Sequence, residues 1–250
     1  MKKYFAVLMV VAGLLAVACG KDDNKNGGST KDPGTQTDSN LPASLQGTNY
    51  FPIIIDEESG NAIASKIVCD LRPDDANKHL YIWNAGETYS AGEASGTNFY
   101  GKLGYLNLIC VAPQLWSGGG FNIAAAADNL DKFSDIAANP DKYYFHIAYK
   151  GNAGDAHLIQ VNGFSGNPYE FAIGEGSVEV GNPPVKYDAV APKDGAFEAG
   201  EWVEYEFSVQ EMGLNFGGSF PAGGINILCF LSGNNPGAEL SLDAAFFYKK

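Results

Sequence analysis

The chain has 250 residues, of which 16 are basic and 29 acidic, giving a formal net charge of −13. A field of that sign repels phosphate backbones and anionic membranes at long range, which argues against nucleic acid as a partner. Acidic polysaccharide would need a local basic patch or a bound cation. Apolar residues make up 45% of the chain and charged ones 18%, enough apolar surface for a packed core.

The N-terminus reads as an export signal over residues 1–18. Lys2 and Lys3 are followed by an apolar run from Tyr4 to Ala18, shorter than the roughly 20 residues a spanning helix needs. Small residues, Ala16 and Ala18, then precede Cys19, which fits a cleaved signal peptide rather than a membrane span. The A-V-A-C ending resembles a lipobox, with Ala16 where leucine is more usual. That resemblance implies cleavage before Cys19, acylation of its thiol and anchoring to the outer membrane; ordinary secretion with cleavage nearby is the alternative. Gly20-Lys21-Asp22-Asp23-Asn24 resembles the surface-export signal of Bacteroidetes lipoproteins, with a merely solubilising charged stretch as the alternative reading. Residues 19–44 are otherwise almost all Gly, Ser, Thr, Asn, Asp, Lys and Pro, with Gln36, Leu41 and Ala43 the exceptions. Such a composition has little to bury and predicts a disordered tether, whose ends would lie about 25–30 Å apart.

Residues 45–250 read as a single all-β domain. Short apolar and β-branched runs recur between Gly, Asn, Asp and Pro clusters: Tyr50–Ile55, Ile63–Leu71, Leu80–Trp83, Tyr105–Ala112, Phe121–Ala125, Tyr143–Tyr149, His157–Val161, Tyr169–Ile173, Trp202–Val209, Ile225–Leu231 and Glu239–Tyr248. This punctuation predicts an antiparallel sandwich or barrel. In Trp202–Val209 the residues Val203, Tyr205, Phe207 and Val209 alternate with Glu204, Glu206 and Ser208; in the last run Leu240, Leu242, Ala244, Phe246 and Tyr248 are expected to share a face. Tyr143–Tyr149 is bulky on both faces and should be central. One short helix is expected where Leu130, Phe133 and Ala137 follow helical spacing up to Asn139-Pro140.

Cys69, Cys110 and Cys229 each sit in an apolar run and read as small buried hydrophobes, with any pairing open. Their spacing is not that of a zinc site, and His79, His146 and His157 show no metal-ligating pattern. Carboxylate pairs such as Glu87 with Glu93, or Glu201 with Glu204, carry no motif, although glycoside hydrolysis would need two carboxylates facing across a cleft.

Two C-terminal segments carry a resemblance. G-E-W-V-E-Y-E-F-S-V, Gly200–Val209, looks like a strand of jelly-roll carbohydrate-binding modules, and A-E-L-S-L-D-A-A-F-F-Y-K-K looks like their closing strand. With the lipoprotein signals, the chain resembles the glycan-binding lipoproteins of Bacteroidetes polysaccharide-utilisation systems. The resemblance implies a jelly-roll β-sandwich that holds a polysaccharide or oligosaccharide near an outer-membrane transporter complex without catalysis. It also implies a structural Ca²⁺ beside the closing strand, with Asp243 at the matching position (followed by Ala244 where the family commonly has Asn); Asp56, Glu57 and Glu58, at the end of an early strand, are the candidate partners, and a solvated or turn-bonded Asp243 is the alternative. A surface adhesin or structural protein-contact subunit is the runner-up, and a glycoside hydrolase or polysaccharide lyase the third reading.

Saccharide recognition uses flat aromatic rings and planar polar groups in a concave or loop-built site. Residues 81–121 concentrate both types, and the expected binding residues are Trp83, Asn84, Glu87, Tyr89, Asn98, Tyr100 and Trp116, beside Glu93, Phe99, Tyr105, Gln114 and the S-G-G-G run.

Overall fold

The computed structural model describes residues 40–83, 88–111 and 114–250. The export signal, Cys19 and the tether up to residue 39 fall outside the described residues, as do Asn84 and Glu87. Residues 40–44, whose composition groups them with the tether, belong to the packed structure: a 3-10 turn spans Ala43–Leu45, and Ser44 and Leu45 are buried.

Two antiparallel sheets form an all-β sandwich of jelly-roll type. The strands are β1 Thr48–Ile54, β2 Lys78–Ile82, β3 Tyr89–Thr97, β4 Leu103–Cys110, β5 Gly118–Ile123, β6 Tyr143–Lys150, β7 Ala156–Val161, β8 Tyr169–Gly174, β9 Ser177–Val180, β10 Val185–Asp188, β11 Val203–Ser208, β12 Ile225–Leu231 and β13 Glu239–Lys249. Sheet I runs β11-β6-β13-β4-β3, with β1 also on β13, and sheet II runs β2-β5-β12-β7-β8. The β9-β10 hairpin packs outside sheet II.

Alternation explains the core. Val203, Tyr205 and Phe207 of β11, Leu240 and Leu242 of β13, and Phe121, Ile159, Phe171 and Phe230 from sheet II all pack in one inter-sheet cluster. Strand β6 lies inside sheet I and is buried along its middle, as its bulk on both faces demands. The expected helix is present as a 3-10 turn, Leu130–Lys132, running into α2, Phe133–Ala138. Phe133 anchors it against Phe51, Phe164 and Phe216. Two further helical turns, α1 Glu57–Ala62 and α3 Val209–Met212, follow strands directly. Asp56 caps the first, and a Ser208–Glu211 capping box holds the second.

Two expectations need correction. Ile63–Leu71 is not a strand. It is a 3-10 turn, Ala64–Lys66, and an irregular stretch whose amides at Val68 and Leu71 bond to Tyr50 and Pro52 carbonyls. Its apolar residues serve two clusters, Ile63 on the outer face of sheet I and Cys69 and Leu71 between the sheets, so no single pleated face uses them. In β13, the face changes partway. The register slips between Asp243 and Phe246, and Ala244 takes φ +51°, a β-bulge. Leu240 and Leu242 face the core before it; Ala245 and Phe247 do so after it. Ala244, Phe246 and Tyr248 instead join Leu45, Tyr50 and Ile63 in a second cluster on the outer face. A one-residue insertion in a period-two pattern inverts every later side chain.

Candidate functional site

The outer face of sheet II carries a preorganised polar surface. Antiparallel register lines up Tyr81 with Gly120, Gly120 with Cys229, Cys229 with Gln160 and Gln160 with Glu170. In the adjacent row His79 pairs with Asn122 and Asn122 with Asn226. The side chains are linked. Asn122 Nδ2 donates to Asn226 Oδ1 at 3.0 Å, and Asn226 Nδ2 donates to the Tyr81 hydroxyl at 2.8 Å. Gln160 Nε2 donates to Glu170 Oε1, and the Tyr187 hydroxyl donates to Glu170 Oε2 at 2.6 Å. That contact raises the Tyr187 pKa to about 12.

Glycines shape the floor. A Cβ on Gly118 would lie 2.8 Å from the Trp83 ring, and one on Gly120 would lie 2.9 Å from the Leu228 carbonyl. Only the absence of side chains lets Trp83 lie over β5. The β9-β10 hairpin packs Val178 and Val180 over Leu158, Ala172 and Leu231, with Trp83 against the same cluster, and its Tyr187 closes the polar row. The result is a half-wet strip, walled on one side, of amides, a carboxylate and phenols from five strands and a hairpin.

The expected binding residues separate. Trp83 is half-buried at the end of β2, and Trp116 is 42% exposed on the loop entering β5; both sit at one end of sheet II, since Trp83 N–H bonds the Gly118 carbonyl. Tyr89, Asn98 and Tyr100 are not on that surface. Tyr89 is in the core, edge-on to Phe230 with its hydroxyl on Ser232, because it is the inward residue of an otherwise exposed β3. Asn98 is buried and accepts the Tyr100 and Lys102 amides, bracing a turn. Tyr100 packs in the outer cluster of sheet I with its hydroxyl on Ser44. Sequence reading missed Tyr81, Asn122, Gln160, Glu170, Tyr187 and Asn226. The one available signal was polar residues interrupting apolar strands at alternate positions.

A second feature lies at the bulge. Asp243 is 1% exposed, and its carboxylate oxygens have only loose contacts to the Ala244 and Phe99 amides and no hydrogen bond of full geometry; Asp56 Oδ2 is likewise buried and unpartnered. Burial pushes the Asp243 carboxyl up to about 7, eased by the Ala244 and Phe99 amides and raised further by Asp56. Both carboxylates line a cavity of about 690 Å³ that also touches Glu57, Arg72, Glu93 and Tyr105. Orphaned buried oxygens aimed at one space fit a hard cation, which takes oxygen ligands from carboxylates, carbonyls and water. Among the described residues, no group of three or more His, Cys, Asp and Glu gathers as a metal cage.

The other histidines and cysteines are accounted for locally. His146 Nδ1 lies 2.7 Å from the Ala244 carbonyl and Nε2 lies 2.8 Å from Glu204. His157 bonds Ser232 and the Glu239 carbonyl, and burial lowers its pKa to about 4. Cys69, Cys110 and Cys229 are all buried.

No protein-family model matches this chain, and no curated protein matches it. Solved structures with similar chains include the family 30 carbohydrate-binding module of a cellulosomal cellulase of Clostridium thermocellum. It is 12% identical, with 68% of this chain and 86% of that chain covered, at a TM-score of 0.38. A family 11 carbohydrate-binding module from Clostridium thermocellum, in complex with a β-1,3-1,4-mixed-linked tetrasaccharide, is 13% identical with 72% and 92% covered, at 0.33. An exo-β-agarase is 13% identical, with 71% of this chain but 24% of that chain covered, at 0.39.

Proposed function

We propose that this chain is a non-catalytic, lipid-anchored glycan-binding protein of the bacterial cell surface. The observation that carries it is the linked row Tyr81–Asn226–Asn122 and Gln160–Glu170–Tyr187 across the outer face of sheet II. Amides fixed by neighbours on adjacent strands present donors and acceptors to sugar hydroxyls without losing rotamer freedom on binding. Trp83 supplies the flat ring at the glycine end. Glu170 accepts from Gln160 and Tyr187 and forms no ion pair among the described residues, so the ligand is an uncharged polysaccharide or oligosaccharide whose hydroxyls donate to it.

Cys19 would carry the lipid and residues 20–39 the tether, holding the sandwich away from the outer membrane and within reach of a transporter complex. Asp56 and Asp243 would hold Ca²⁺, which would neutralise two buried carboxylates and fix the bulge. The domain would then be 45–250 with its first turn already packed on it.

Affinity electrophoresis of the purified protein through neutral plant, microbial and host polysaccharides tests the reading. Retardation by one glycan class, weakened tenfold or more by Asn226→Ala and by Trp83→Ala with unchanged circular dichroism, is the expected result. A folded protein that none of these glycans retards would sink it and favour the protein-contact reading.

A further inference from the structure

The opposite face of the sandwich holds a cation with no acid to match. Most basic side chains among the described residues sit within 4 Å of a carboxylate, as Arg72 at Asp70, Lys78 at Asp74, Lys102 at Glu58, Lys193 at Glu204 and Lys249 at Asp135. Lys150, on β6, pairs with none among the described residues. Its ammonium lies 4.4 Å from the Tyr105 ring centre and 5.0 Å from that of Trp202, and donates to the Tyr105 hydroxyl at 3.3 Å.

The rings are fixed. Tyr105 and Trp202 meet edge to face at 5.2 Å, and Trp202 Nε1–H donates to the Thr97 carbonyl at 3.0 Å. An ammonium over two π faces is held in place yet keeps donors free for an anion. Beside it a polar row crosses part of the outer face of sheet I, with Asn107 half-buried and Ser241 buried. Register places Gly92 beside Asn107, Asn107 beside Ser241 and Ser241 beside Lys150, and a Cβ on Gly92 would meet nothing within 4 Å. The nearby acid, Glu239, is already engaged, accepting from Asn107 Nδ2 at 2.6 Å and Asn152 Nδ2 at 3.3 Å.

We propose that this face is a second saccharide site, taking a uronate-bearing chain with its carboxylate on Lys150 and a sugar ring against the Trp202–Tyr105 pair. Charge complementarity selects the ligand: the unpaired ammonium donates to the carboxylate, which offsets at this one point the repulsion that the chain's other acids exert on an acidic polymer. The two faces then sort glycans by charge, neutral ones on sheet II and acidic ones on sheet I.

Isothermal titration calorimetry of the full-length protein with galacturonate, alginate and hyaluronan oligomers, each beside its methyl-esterified counterpart, tests the assignment. At least one acidic oligomer should bind, with affinity falling as salt rises. It should weaken about tenfold on esterification and in Lys150→Gln, recover in part in Lys150→Arg, and be unchanged in Asn226→Ala. Binding that survives Lys150→Gln, equal binding of ester and acid, loss in Asn226→Ala, or no binding by any of the three would each overturn it. Neutral-glycan retardation, which depends on Asn226, reports separately on the sheet II site.

Discussion

Replacing Asp243 by Asn isolates the energetics of the bulge. A carboxyl whose folded pKa lies above its unfolded one favours folding while protonated. The metal-free protein should therefore lose stability as pH rises from about 4 through about 7, and keep the full penalty above that. A rise from 3.8 to about 7 is roughly three units, or about 4 kcal/mol as an upper bound at pH 8. In a domain of this size that corresponds to about 10 °C in melting temperature. Asn fills the same space without the charge. In EDTA at pH 8, Asp243→Asn should therefore melt above the parent, and the two should converge near pH 4. Calcium should close most of that gap, since a cation at one hundred times its Kd adds about 2.7 kcal/mol to the form that binds it. Calorimetry at pH 4, 6 and 8, with EDTA and with millimolar Ca²⁺, reads all of this. A parent that outlasts the variant in EDTA at pH 8 and ignores Ca²⁺ would show that the carboxylate has donors and no cation role.

Other residues give independent tests. Phe133→Ala should cost about 3–5 kcal/mol in urea unfolding, because a ring 1% exposed among Phe51, Phe164 and Phe216 leaves a cavity that its neighbours cannot fill. Gly118→Ala should cost about 1–3 kcal/mol and shift Trp83 emission, since the new methyl meets the Phe230 carbonyl at 2.6 Å and the indole at 2.8 Å. Glu204, held down to about 2 chiefly by the hydrogen bond from His146, contributes stability that is present above about pH 4.5 and lost as pH falls toward 2. Glu204→Gln should flatten that part of the acid-denaturation curve, and an unchanged curve would contradict the pairing. Burial pushes the Cys69 and Cys229 thiols up to about 12, so a thiol reagent at pH 8 should label them only after unfolding.

Much of the fold was legible because most strands keep a strict period of two with large residues inward. Val203, Tyr205 and Phe207 declare their face without help, and Tyr143–Tyr149 declares its central place by bulk. The misses have a common cause, which is that local pattern carries no information about what covers a strand. Strand β3 has one buried large residue, Tyr89, and a run of Ser, Ala and Gly, so it reads as a loop until β4 pairs with it. Ile63–Leu71 looks like a strand because it is apolar, yet its apolar residues are divided between two clusters on different sides of sheet I. The bulge at Asp243–Ala244 is written in the sequence only as an alternation that runs on too well: taken at face value, it would put Phe246 and Tyr248 in the inter-sheet core.

The candidate site was less legible, for a geometric reason. Its residues are Tyr81, Asn122, Gln160, Glu170, Tyr187 and Asn226, one from each strand of sheet II and one from the hairpin that packs on it, separated by up to 145 positions. Each is an isolated polar residue inside an apolar strand, and alone each looks like a solvated outward position. Only the register of four antiparallel pairings, with the hairpin packed on them, brings them into adjacent rows. Aromatic density in residues 81–121 includes Trp83 and Trp116, which lie together at one end of sheet II, but it weighted Tyr89 and Tyr100 equally, and packing claims both. A ring's role depends on the side of the strand it leaves from, and in β3 the inward side belongs to Tyr89. Polar residues that interrupt apolar strands at alternate positions were therefore a better guide to this surface than aromatic clusters, because a sheet with one dry face has no reason to place linked amides on the other unless water or a ligand meets them there.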